Sequence, residues 1–267
     1  PAYQKFLESA KGPLAVSLKM QAPEEDRITL RNVAGVLKGS DPELKETYLL
    51  LTAHYDHVGI NERAPGGDKI FNGANDNASG TAAVLALAEA FARASRRPKR
   101  SVVFIAYSGE EIGLFGSRYY AMEPLFPLKS TIANLNFEQM GRTDDTEGER
   151  TRQITASGLD YTTLGDTLEA AAGLAGVKTW KHPVYSDQFF SRSDNQALAD
   201  LGVPAITLAV AWQYPDYHRA TDHWDRLNYE NFEAVTRAAA AAAWRVANDP
   251  SPVRWLDRGS RTEPYRK

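Results

Sequence analysis

Two periods of apolar residues run through this chain and predict its elements. Near-continuous apolar runs at 48–53, 102–107, 131–137 and 204–210 read as core strands, the last with Pro204 at its first position, where a missing N–H is tolerated. Runs at 14–20 and 28–37, joined by a polar turn at 22–26, read as two further strands, with a weak one at 153–156 and an outer one at 178–181. Helical spacing marks 3–10, which Gly12-Pro13 stops, and a helix from Asn77 with Val84, Leu85, Ala88 and Phe91 on one face. It marks 114–122, 160–172, 195–201 with Gly202 as its stop, and 231–247 as well. The Gly-, Asn- and Asp-rich stretch 58–75 reads as a long surface loop, and 142–152, 184–194 and 211–226 read as shorter ones. Strands alternating with helices predict an α/β fold: three layers, with a central mixed, largely parallel β-sheet flanked by helices. The strands ahead of the first long helix predict an antiparallel portion.

The run at 48–53 ends abruptly in His54-Tyr55-Asp56-His57. Two imidazoles and a carboxylate at the end of a core strand cost stability unless something pairs with them, and a metal ion is the economical partner. The other core strands also lead into donors: Glu110 and Glu111 after 102–107, Glu138 after 131–137, and the loop with His218 after 204–210. Asp76 stands just before a helix, where a carboxylate also interacts with free N–H groups. In an open α/β sheet all these positions share the carboxyl edge. Oxygen and imidazole donors without thiolates suit zinc, manganese or cobalt. The candidates outnumber the roughly three protein ligands of a single catalytic ion. They fit two ions sharing a bridging carboxylate, about 3.5–4 Å apart.

Composition narrows the picture. A chain of 267 residues, 43% hydrophobic and 24% charged, is expected to form one domain over 1–267, with an N-terminal helix/strand segment at 1–26 and a tail at 249–267 packed on the body, anchored by Trp255. A net charge of −3 without a basic stripe excludes nucleic acid as a partner, and the densest basic patch, Arg96-Arg97-Pro98-Lys99-Arg100, reads as a solvated connection. The absence of cysteine excludes thiolate zinc sites, disulfides and cysteine nucleophiles. No apolar run approaches a membrane span. The chain starts at Pro1 without an initiator Met, so the natural N-terminus is expected outside it. Oligomeric state, side-chain specificity and native metal are not encoded in these patterns.

His54-Tyr55-Asp56, Asn75-Asp76-Asn77-Ala78-Ser79-Gly80, Ser108-Gly109-Glu110-Glu111, Asn136-Phe137-Glu138 and Tyr217-His218, in that order, resemble the successive motifs of the M28 zinc peptidases, the co-catalytic aminopeptidases and their relatives, over roughly 29–247. The resemblance implies a zinc-exopeptidase (phosphorylase/hydrolase-like) fold, peptide substrates and two Zn²⁺ per chain. It implies that Asp76 bridges the metals, that His54 and Glu138 complete one site, and that Glu111 and His218 complete the other. Glu110 would be the general base, taking a proton from the metal-bridging water and delivering it to the leaving amine. Asp56 would orient His54 through its other nitrogen, and Asp222 would support the site beside His218. A cis peptide after Asp76 is also implied. Three positions depart from the pattern: Glu138 stands where Asp is frequent, Ser193-Asp194-Asn195 where Ser-Asp-His is frequent, and Arg219 where a small hydroxyl residue is common.

From its place between Glu138 and His218, Tyr185 is the candidate donor to the tetrahedral oxyanion. Phe189, Phe190, Tyr214 and Tyr217 are candidates for a side-chain pocket, His57 and His223 for structural or supporting roles, and His182 for the surface. The leading expectation is a di-zinc metallo-aminopeptidase. The alternatives are a glutaminyl cyclase-like acyltransferase with one zinc and a non-catalytic receptor-like binding domain. The full donor set argues against the first, and the presence of Glu110 against the second. Dipeptidase and carboxypeptidase action stay open. The resemblance also implies export, to a periplasm or out of the cell, with a cytoplasmic location left open.

Overall fold

The computed structural model describes residues 9, 12, 17, 19–22 and 27–267. The helix expected at 3–10, the strand at 14–20 and the turn at 22–26 fall largely outside the described residues. A seven-stranded sheet is ordered β1 (Val33–Leu37), β5 (Ser101–Tyr107), β2 (Tyr48–His54), β6 (Thr131–Phe137), β11 (Ala205–Ala209), β9 (Gln153–Ser157) and β10 (Lys178–Thr179). The four strands in the middle, β5, β2, β6 and β11, are parallel. β1 joins antiparallel at one edge, and β9 joins β11 antiparallel toward the other. The sheet is thus mixed and largely parallel.

Strand β2 is central because every residue from Leu49 to His54 is buried. Its side chains alternate across the sheet as the strand period requires. Leu49, Leu51 and Ala53 join the larger core with α1 (Gly80–Arg93), α3 (Leu164–Leu174) and α6 (Tyr229–Asn248). Leu50 joins the smaller core on the other face, with Tyr120 of α2 (Phe115–Met122) and Leu198 of α5 (Asn195–Ala199). This is a three-layer arrangement. Burying each leucine stabilises the strand by about 1.5–3 kcal/mol, which helps offset the cost of the imidazole at its end.

Several elements differ from their sequence patterns. β1 begins at Val33, because Asn32 leaves the ladder: its Nδ2 donates to Gly116 O at 2.8 Å and its Oδ1 accepts from Ser108 N at 3.2 Å. Helix α1 buries Gly80, Ala83, Val84, Leu87 and Phe91, whereas Leu85 is 65% exposed. The stripe therefore runs through 80, 83, 84, 87 and 91, one position around from the expected face. The loop at 142–152 contains a small hairpin, β7 (Asp144–Asp145) with β8 (Gly148–Glu149), and 184–194 contains a short helix, α4 (Tyr185–Gln188). Within 58–75, β3 (Gly59–Ile60) pairs with β4 (Ile70–Phe71).

Arg100 is not part of a solvated connection. It is buried, and its guanidinium donates to Asp249 O, Pro250 O and Thr47 Oγ1, which ties the start of β5 to the tail. Farther along the tail, Trp255 Nε1 donates to Gly202 O at 2.9 Å and its ring stacks on Tyr265. No helix among the described residues is long and apolar enough to cross a membrane.

Candidate active site

The four parallel strands deliver their donors to one edge: His54 from β2, Glu110 and Glu111 after β5, Glu138 after β6 and His218 after β11. The chain passes from β2 to β5 on one side and returns to β6 on the other, so the crevice opens where the strand order reverses. Asp76 enters from a wide turn, Ala74–Ser79, ahead of α1, with a cis peptide between Asp76 and Asn77. Gly80 lets α1 start against β6, since a Cβ there would lie 2.3 Å from Phe137 O.

The donors fall into two groups, in each of which one ligand atom per residue lies within 4.8 Å of the others: His54, Glu110 and Glu138; and His57, Asp76, Glu111 and His218. Asp76 faces both. Its Oδ1 is 3.3 Å from His54 Nε2 and its Oδ2 is 3.0 Å from His218 Nε2. The other oxygens of the second group are also apportioned: Glu111 Oε2 is 3.2 Å from His218 Nε2, and Glu111 Oε1 is 2.7 Å from His57 Nδ1.

The supporting contacts differ from the expected ones. His54 Nδ1 is held by the backbone carbonyl of Asp56 at 3.2 Å, with the Asp56 carboxylate at 3.7 Å. That carboxylate instead accepts the backbone N–H groups of Glu110 and Glu111, at 3.2 and 3.3 Å. Asp222 does not contact His218. It accepts the backbone N–H groups of Asn75 and Asp76 and the Tyr214 phenol, so it fixes the turn that carries Asp76. His218 sits in the left-handed region at φ 52°, a conformation that costs a non-glycine residue energy and needs support from its surroundings. Support comes from Tyr217, stacked on its ring at 4.0 Å, and from Arg142, whose buried guanidinium pairs with Asp216 of the same loop at 2.8 Å and with Asp144.

Electrostatics shows what the site lacks. Burial, reinforced by the charge of Glu138, pushes the Glu110 carboxyl up to about 9. Burial pushes Glu138 up to about 7, with Asp76 adding to the shift. Burial alone would depress His54, but Asp76, Glu110 and Glu138 hold it well above the usual imidazole range. Hydrogen bonds to Asp76 and Glu111 lift His218 to about 10. Burial would raise Asp76 and Glu111 as well, but the imidazoles beside them win and hold both carboxyls low. Four carboxylates and three imidazoles crowd one crevice. His54 Nε2 and Glu138 Oε2 are buried without a hydrogen-bond partner. Unpartnered lone pairs among anionic oxygens are what a divalent cation satisfies, so these residues fit a metal centre.

The site opens into a cavity of about 720 Å³ lined by Glu110, Glu138, Phe189, Trp212, Tyr217 and Arg192, among others. Phe189, Tyr214 and Tyr217 line it, as the pocket expectation requires. Phe190 does not: it is buried against Tyr161, Trp255 and Tyr265. Tyr185 is not on the cavity wall either. Its ring is stacked between His182 at 4.1 Å and Phe189 at 5.0 Å. Of the two phenols on the wall, Tyr214 donates to Asp222, whereas Tyr217 stands where burial, then the charges of Asp76 and Glu138, raise its pKa. His182 is buried rather than on the surface: its Nδ1 accepts the N–H groups of Val184 and Tyr185 at the start of α4, and its Nε2 meets Glu147 at 2.7 Å. His223 stands 3.3 Å from Asp68 and meets Asn72. At Ser193-Asp194-Asn195, Asn195 closes a buried chain of hydrogen bonds with Thr207 and Asn136, and Asn136 donates to Ser193.

Two residues act on the site through partners that the sequence did not indicate. His57 was expected in a structural or supporting role without a named partner, and Arg142 was legible only as one charge in a polar loop. Both act across more than 50 residues, His57 on Glu111 and Arg142 on Asp216.

Comparison with known proteins agrees with this geometry. Residues 32–243 match Peptidase family M28. A "probable leucine aminopeptidase 2" of Aspergillus oryzae is 28% identical over 283 residues, which cover 94% of this chain and 51% of that protein. A "Probable glutamate carboxypeptidase VP8" of Zea mays is 27% identical over 265 residues, 90% of this chain and 33% of that protein. Among solved structures, BSAP, a zinc aminopeptidase from Bacillus subtilis, shares the fold with a TM-score of 0.64 at 22% identity, over 87% of this chain and 52% of that one. The chain thus spans between a third and about half of the length of these relatives. With the family match running through β1, every donor and most of α6, the chain belongs to Peptidase family M28.

Proposed function

We propose that this chain is the catalytic unit of a di-zinc aminopeptidase. The observation that carries the reading is the Asp76 carboxylate, which directs one oxygen to His54 and the other to His218 and so stands between two donor groups. In this reading Asp76, His54 and Glu138 would hold one Zn²⁺, and Asp76, Glu111 and His218 would hold the other. The zinc named for the relatives supports the choice of metal. Two such ions supply charge that lowers the pKa of water and polarises a peptide carbonyl.

The chain's own residues do the rest. Glu110 lies on the cavity wall within the first donor group. It takes a proton from the attacking water and delivers it to the leaving amine. The Tyr217 phenol, not Tyr185, is placed to donate to the oxyanion. Phe189 and Trp212 give the cavity an apolar wall for a substrate side chain.

The test combines elemental analysis with cleavage of aminoacyl-anilides and dipeptides by the full protein. Two zinc ions per chain with release of N-terminal residues is the expected result. One zinc with cyclisation of N-terminal glutamine and no peptide cleavage would replace this reading with the acyltransferase one. A carboxypeptidase reading has one observation in its favour: Arg192 and Arg219 line the cavity, and neither guanidinium has a carboxylate partner among the described residues. Cleavage of N-blocked peptides, but not of C-terminally amidated ones, would decide for it.

A further inference from the structure

We propose that His57 is a positioning residue for Glu111: it holds the carboxylate oxygen that faces away from His218 and thereby presents the other oxygen to the second metal. This rests on the reading of Glu111 as a metal ligand. Glu111 splits its two oxygens, Oε2 at 3.2 Å from His218 Nε2 and Oε1 at 2.7 Å from His57 Nδ1. An ionised carboxylate only accepts, so the imidazole is the donor in the His57 contact. The backbone of Glu111 is fixed too, since its N–H donates to Asp56 Oδ2 at 3.3 Å. The residue is thus held at both ends, by two members of the same His54-Tyr55-Asp56-His57 stretch.

The His57 ring is itself locked. Its side chain is 7% exposed and it packs edge-on to His218 with centroids 5.3 Å apart. Gly73, at φ 59°, lets the turn close over the ring, since a Cβ there would lie 2.6 Å from His57 Cγ. A donor in a fixed ring, aimed at the oxygen that the other contacts leave free, sets the rotamer of the carboxylate. Partners of this kind around metal-ligating side chains change metal affinity by about 10–100-fold when removed.

The test titrates metal-free wild-type protein, His57→Ala and His57→Asn with Zn²⁺ by calorimetry, and with Co²⁺ for X-ray absorption. Asn is chosen because its amide N–H reaches about where Nδ1 does. Wild type binding two ions is expected. In His57→Ala one of the two dissociation constants rises about 10–100-fold and the other stays put, and His57→Asn recovers most of the loss. If alanine leaves too large a hole for folding, His57→Leu fills the volume without a donor and is compared with His57→Asn. Two dissociation constants within threefold of wild type in both donor-free variants would overturn the proposal and leave the di-zinc reading standing. Loss of an imidazole from the absorption-derived coordination shell in His57→Ala would also overturn it, by making His57 a ligand. Wild-type protein that binds fewer than two ions fails the di-zinc reading itself, a different outcome from either.

Discussion

The two donor groups contain similar atoms and behave in opposite ways. His54, Glu110 and Glu138 put two carboxylates against one imidazole, and both carboxyls are pushed up, Glu110 to about 9 and Glu138 to about 7, with burial as the main cause. His57, Asp76, Glu111 and His218 put two carboxylates against two imidazoles, and both carboxyls are held low although burial works in the other direction. Desolvation raises a buried carboxylate unless a cationic donor reaches it. The second group carries part of its compensation in its own side chains. The first has a single imidazole, His54, against its two carboxylates.

The largest expected effect strikes the first group. Glu110→Gln removes the proton acceptor without removing a ligand, so kcat falls by about 10²–10⁴-fold while zinc content, read by elemental analysis, is unchanged. Loss of zinc in that variant would place Glu110 among the ligands and blur the distinction between the groups. A comparable loss is expected by another route at Asp76, which the proposed reading shares between the two sites: Asp76→Asn weakens both at once, and calorimetry should show both dissociation constants rising.

Next comes the phenol. Tyr217→Phe is expected to lower kcat by up to about 10²-fold, and Tyr185→Phe to leave it unchanged, because only the first ring lines the cavity. A reversed order would return the oxyanion role to Tyr185.

The pH dependence of the metal-free protein sharpens the comparison further. Glu110 and Glu138 have folded pKa values above the unfolded carboxylate value of about 4.3, and His54 and His218 lie above the imidazole value of about 6.5. Each raised group binds protons more tightly in the folded state. Its contribution is complete below the unfolded pKa and is lost as pH rises through the folded one. Asp76 and Glu111, held low, contribute in the opposite sense, and their share is lost only in acid. The chelated protein should therefore melt at a lower temperature at pH 9 than at pH 6, and added Zn²⁺ should shrink the difference. A chelated protein with the same melting temperature at both values would mean that the first group is compensated without metal.

The smallest effect is expected from the loop behind the second group. Arg142→Met breaks the pair with Asp216, leaving its carboxylate with the Thr221 hydroxyl as its side-chain partner, and loosens the loop that holds His218 at positive φ. Zinc affinity should fall severalfold at one site and stay constant at the other, as read in the same titration.

Much of this was legible from residue order. A near-continuous apolar run, ending in polar donors, places those donors at a strand end wherever the strand lies, which is why His54, Glu110, Glu111 and Glu138 could be located before any contact was known. The parallel sheet follows from the alternation of strand and helix, and with it the shared edge. Other features were not legible. Leu85 and Leu87 are equally apolar, and only the path of α1 over the sheet decides that Leu87 is buried and Leu85 exposed. Phe189 and Phe190 are adjacent and alike, yet one lines the cavity and the other packs under the tail.

The amino-acid sequence by itself determined the strands, their polar ends and the kind of ion those ends suit, because these depend on local periodicity and on donor chemistry. The tertiary structure alone decided that Asp56 holds the Glu110–Glu111 backbone, that Asp222 serves Asp76 rather than His218, and that His57 belongs to Glu111. Each of these is a contact between residues 54 or more positions apart. Which partner a side chain meets at that separation depends on the packing of the sheet and its connections, and no local pattern carries that information.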